Sequence, residues 1–119
     1  MLLISCFSCD SVETDLGGDF KVWEHDVSVT RGLYYRSQGI GPKPLCEVGY
    51  DNNFIWVKLC KSKKSISYYL VDRKLYAKDP MQQESSGYWE FTDEAGLREK
   101  LLENNIKLKW KKKFHNPYN

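Results

Sequence analysis

Histidine is nearly absent from this chain: the 119 residues hold two, His25 and His115, far apart, together with four cysteines. Cys6-Phe-Ser-Cys9 is a C-x-x-C pair. A zinc site wants a second pair at similar spacing, whereas Cys46 and Cys60 have thirteen residues between them, and a thioredoxin-like site wants a strand before the pair and a helix after it. Neither context is present, so no metal and no cofactor is expected. Long hydrophobic runs are missing too. Met1 to Cys9 is apolar but far shorter than the roughly 20 residues that span a bilayer, and it lacks the basic start of a signal peptide. A dominant charge is also lacking. The formal net charge is +2, and Lys107, Lys109, Lys111, Lys112 and Lys113 leave 13 basic against 16 acidic residues in the rest of the chain. A mildly acidic body excludes nucleic-acid binding by the protein as a whole and leaves only its basic end for that role.

Catalytic constellations are no better represented. Glu24-His25-Asp26 followed by Ser28 holds the residue types of a hydrolase triad, but neighbouring strand residues face opposite ways and no nucleophile elbow accompanies them. No catalytic residue is assigned, and an enzyme is not expected.

What is present is aromatic and β-branched. Four tryptophans and eight tyrosines, with 41% hydrophobic residues, describe a globular domain rich in strands. Asp15-Leu-Gly-Gly-Asp19 is a turn. Phe20 to Val27 and Val27 to Arg36 read as strands, the second with an internal glycine, and residues 37–44 as a loop. Leu45 to Tyr50 and Phe54 to Cys60 form a hairpin around Asp51-Asn-Asn53, with Cys46 and Cys60 near its open end as a candidate disulfide. Ser67 to Ala77 reads as a second hairpin with Asp72-Arg73-Lys74 at its tip, and residues 79–87 as the longest polar loop.

Tyr88 to Phe91 then leads into the one convincing helix, about residues 93–104. Thr92 is placed to cap it, Asp93 and Glu94 charge its first turn, and Leu97, Leu101 and Leu102 share a face. Asn104 and Asn105 stop it. Ile106 to Trp110 alternates apolar residues with lysine and reads as a final edge strand. The expected fold is therefore α+β: an antiparallel sheet of about five to seven strands with the helix packed on it. Residues 15–110 make a single domain, preceded by a polar tether and followed by a basic flexible tail, 111–119.

Leu3-Ile4-Ser5-Cys6 resembles the lipobox of bacterial lipoproteins, in which the cysteine carries the lipid. Together with DLGGDF (15–20), YYLVDRK (68–74) and GYWEFTDEAGLREKLL (87–102), it is similar to a group of small uncharacterised lipoproteins of Bacteroidetes-type bacteria. That resemblance implies a lipid anchor at Cys6, a cell-envelope address and no catalytic residues. The expected function is a noncatalytic envelope lipoprotein that binds a protein partner, since aromatic residues dominate interface hot spots. Tyr34, Tyr35, Tyr88 and Trp89 are the candidate partner-binding residues. An immunity or inhibitor protein occluding a toxin is a second reading, and nucleic-acid contact by the segment Lys109 to His115 a third, less favoured one. No small-molecule substrate is expected.

Overall fold

The computed structural model describes residues 11–25, 28–78 and 87–118. Within it β1 (Ser11–Gly17), β2 (Phe20–His25), β3 (Gly32–Tyr35) and β4 (Gln38–Ile40) make a four-stranded antiparallel meander. A second antiparallel sheet is built from β5 (Leu45–Tyr50), β6 (Phe54–Cys60), β7 (Ile66–Asp72), β8 (Tyr88–Phe91) and β9 (Trp110–Lys113), in the order β8-β7-β6-β5-β9. Among the described residues two helices join the sheets, α1 (Arg73–Lys78) and α2 (Glu94–Glu103). The α+β class holds, with two sheets in place of one.

Strand alternation explains the layering. One face of the first sheet supplies Phe20, Val22, Leu33, Tyr35 and Ile40, and one face of the second supplies Val48, Ile55, Val57, Leu59, Tyr69 and Val71; all are buried in a shared core. The opposite face of the second sheet is apolar as well, and there Tyr68, Leu70 and Leu97 form a separate cluster bordered by Trp56, Trp89, Phe91 and Leu101. Helix α2 covers that face. The order is sheet, sheet, helix.

Several local expectations are corrected. The polar stretch after residue 10 is not only a tether, because Ser11–Gly17 pairs with β2 as an edge strand. A 3-10 turn at Ser28–Thr30 interrupts the strand expected over 27–36, and the loop expected over 37–44 contains β4. The hairpin expected over 67–77 is instead a strand running into α1, since the Asp72 carboxylate accepts from the backbone N–H groups of Lys74 and Leu75, both at 3.1 Å, and starts a helix. Asp93, not Thr92, caps α2 by accepting from Gly96 N at 2.9 Å. Leu97 is buried, Leu101 half-buried and Leu102 81% exposed, so the docked face of α2 is narrower than three leucines.

The chain end differs most from its expectation. Ile106 packs under α2 and its N–H donates to Leu101 O at 2.8 Å, so pairing with β5 begins only at Trp110. Lys111, Lys112 and Lys113 are thus an edge strand rather than a free tail, and Phe114 packs against the core while its N–H donates to Cys46 O at 2.9 Å. Lysines on that edge discourage pairing with another sheet.

Candidate functional site

The two sheets are tied at each end by a buried arginine. At one end lie the start of β3, the start of β5 and the segment after β9. Arg31, 3% exposed, sits there, its Nε donating to Glu24 at 2.9 Å and its Nη1 to the carbonyls of Leu45 at 2.9 Å and His115 at 2.7 Å. The Phe114 ring lies 5.1 Å from the guanidinium. Cys46 and Cys60 are bonded beside it, with Cα atoms 5.9 Å apart, because a bulge between Leu45 and Glu47 shifts the register of β5 on β6.

The opposite end carries the β1–β2 turn, the β5–β6 turn and α1. Gly17 and Gly18 have φ of 88° and 59° in the first turn, a backbone that glycine adopts without strain. Asp51 organises the second turn: its carboxylate accepts from Asn53 N and Phe54 N, both at 2.8 Å. Arg73 follows β7 directly, its backbone N–H donating to Asn53 O at 2.9 Å. Its side chain crosses to the first sheet and donates from Nη1 to Gly17 O and from Nη2 to Leu16 O, each at 2.8 Å, with the Phe20 ring 5.4 Å away. Arg73 is 8% exposed and its Nε–H has no partner among the described residues. Burial pulls the guanidinium pKa down from its ordinary value, against the opposing pull of Asp51, Tyr50 and Asp15.

Beside Arg73 opens a cleft of about 470 Å³, within the range of about 300 to 1,000 Å³ common for ligand sites. Leu16, Phe20, Phe54 and Ala77 give it apolar walls, and Asn52, Asn53 and Lys74 a polar rim. Among the described residues no histidine, cysteine, serine or tyrosine lines it, and Asp72 accepts the capping bonds of α1. Such a surface can bind and orient a group. No protein-family model, curated protein or solved structure matches the chain. The geometry is what speaks for the site.

The four candidate partner-binding aromatics are not brought together. Adjacent strand residues face opposite ways, so Tyr34 and Tyr35 part company, as do Tyr88 and Trp89. Tyr35 is core, 4.8 Å from the Phe20 ring and 6.1 Å from that of Tyr76. Tyr88 is core too. It packs 5.1 Å from Tyr69 and donates to Glu90 at 2.8 Å, and burial first, then that hydrogen bond, raises its pKa well above the usual phenol range. Tyr34 lies on the outer face of the first sheet, 5.2 Å from Trp23, and accepts from Lys43 Nζ at 2.6 Å. Trp89 belongs to the α2 side, with Lys100 Nζ 4.6 Å over its ring. These residues serve three different surfaces.

The remaining expected sites are quickly placed. Cys6 lies outside the described residues. Glu24 is committed to Arg31, and His25 is exposed with its ring 4.0 Å from Trp23. Among the described residues no group of three His, Cys, Asp or Glu side chains is placed to hold a metal ion. Arg73 was hidden in the sequence because a charged triplet between two apolar stretches looks like a solvated tip. The signal was Asp72 as a helix cap, followed at once by Leu75 and Tyr76 at helical spacing.

Proposed function

We propose that the protein is a noncatalytic, lipid-anchored lipoprotein of the bacterial cell envelope that holds a protein partner at the Arg73 end of the sandwich. The observation that carries this reading is the cleft itself: apolar walls with amide groups and a lysine at the rim. The bonded Cys46–Cys60 pair suits an oxidising compartment, as an envelope address requires. The lipobox-like sequence ending at Cys6 supplies the anchor.

A photo-crosslinking amino acid placed at Asn53, on the cleft rim, or at Val29, 43% exposed near the Arg31 end, tests the reading in the native envelope. Adducts to a discrete protein from position 53 and none from position 29 are the expected result. Equal labelling from both positions, or none from either, would sink the assignment. Intact mass of the protein from the same cells should correspond to a chain beginning at Cys6 with lipid attached; an unmodified N-terminus would remove the anchor.

A further inference from the structure

We infer that the cleft takes the free C-terminal carboxylate of a peptide chain onto Arg73, an inference that rests on the cleft being the partner-binding site. The argument begins with charge. Arg73 is more than nine-tenths buried, yet no carboxylate among the described residues stands within ion-pair distance of it, whereas Arg31 has Glu24 at 2.9 Å. Its two hydrogen-bond acceptors, Leu16 O and Gly17 O, are neutral, and its Nε–H is unpartnered. The nearby acids are committed elsewhere. Asp15 accepts from Gly17 N at 2.8 Å, Asp51 from two N–H groups of its turn, and Asp72 from two of α1. A buried cation with no carboxylate in contact is costly; Asp51 and Asp15 act on it only from a distance, and an anion entering from the adjoining cleft would offset more of that cost.

The rest of the cleft selects the kind of anion. Arg73 and Lys74 against Asp72 leave the cleft one net positive charge, which matches a monoanion, and planar carboxylates suit the guanidinium fork. A phosphate dianion would bring surplus negative charge beside Asp72. A bare inorganic ion would also leave most of the 470 Å³, with its walls of Leu16, Phe20 and Phe54, empty. A C-terminal residue supplies a carboxylate, an apolar side chain and a peptide amide at once, which is the set that Arg73, the apolar walls and the Asn52 and Asn53 amides can receive.

The test uses the full chain, disulfide intact, with nitrogen-15 NMR and a probe set of acetyl-Gly-Gly-X peptides in which X is Ala, Leu or Phe, each as free acid and as C-terminal amide. Expected are saturable shifts of the Arg73 Nε–H and of the Asn53 and Lys74 amides with at least one free acid, and affinity lower by about tenfold or more for its amide. Sodium acetate should move the Arg73 resonance at much higher concentration, and inorganic phosphate should not compete. Arg73→Met should abolish the preference for acid over amide, and Arg73→Lys should keep part of it; the dispersion of both spectra verifies folding. If acid and amide bind the cleft equally, the carboxylate inference fails while the partner site stands. Phosphate binding at Arg73 as tightly as the free acids also overturns it. Absence of cleft shifts with every peptide overturns it too, and crosslinking from position 53 then decides separately whether the cleft binds protein at all.

Discussion

Arg31 and Arg73 do the same mechanical task at opposite ends of one sandwich, and they differ in one respect. Each is buried, each reaches from one sheet to backbone carbonyls of the other region, and each lies near a phenylalanine ring. Arg31 carries its own counter-charge in Glu24 and stands beside a disulfide and a docked chain end. Arg73 has no acidic partner among the described residues and borders the 470 Å³ cleft. A guanidinium used purely as scaffold is neutralised within the fold, because desolvated charge is otherwise expensive. On the function proposed above, the one with no carboxylate in contact marks the end at which a second molecule would complete the structure.

The largest effect should come from the closed end. Arg31→Met leaves the partly buried Glu24 carboxylate unpaired and two carbonyls without a donor, and is expected to destabilise by about 3 to 5 kcal/mol in urea unfolding. A loss under about 1 kcal/mol would show that the ion pair is no part of what closes that end. Replacing Cys46 and Cys60 together by alanine comes next, at about 3 kcal/mol for a sequence separation of 14. Unchanged unfolding in the double variant would assign the closure to Arg31 and Phe114 alone. At the open end, Asp51→Ala removes the acceptor for two turn N–H groups and should cost about 1 to 2 kcal/mol. A cost as large as that of Arg31→Met would mean that the cleft rim is as much scaffold as the opposite end.

How much of this asymmetry was legible in sequence depends on the range of the interactions that make it. The β5–β6 hairpin follows from two apolar runs around Asp51-Asn-Asn53, and α2 from an acidic first turn with leucines at helical spacing; both signals are local, and both elements are present. The separate four-stranded sheet was not legible. Polar residues such as Glu13 and Thr14 look like tether until β2 is there to pair with them, and the register that places Glu13 against Trp23 is a property of two strands. The chain end was misjudged for a related reason. Lys107 and Lys109 alternate with apolar residues like the wet face of a strand and the consecutive Lys111, Lys112 and Lys113 look like a tail, and what reverses the two is Phe114 and the Cys46 carbonyl that receives its N–H. The site was the least legible part. Arg31 and Arg73 are both arginines adjoining strands, and what separates them is a glutamate seven residues before one and no acid placed to pair with the other.

The smallest effect on stability, and the sharpest test of the comparison, is Arg73→Met. Two opposing contributions meet at this position. Loss of the bonds to Leu16 O and Gly17 O costs about 1 kcal/mol each, lessened at Gly17, which is exposed and can turn its carbonyl to water. Removal of a buried cation with no carboxylate in contact relieves a desolvation penalty that Asp51 and Asp15 offset only in part, and methionine can cover Phe20 in place of the guanidinium. The expected net change is within about 1 kcal/mol of zero in urea unfolding without ligand. A loss of about 3 kcal/mol or more would make Arg73 a strap of the same kind as Arg31, and the unpaired charge would then be a tolerated cost of holding the sheets together. A change near zero separates the two arginines: one is needed by the fold, and the other is kept at a cleft where its charge meets something the fold does not contain.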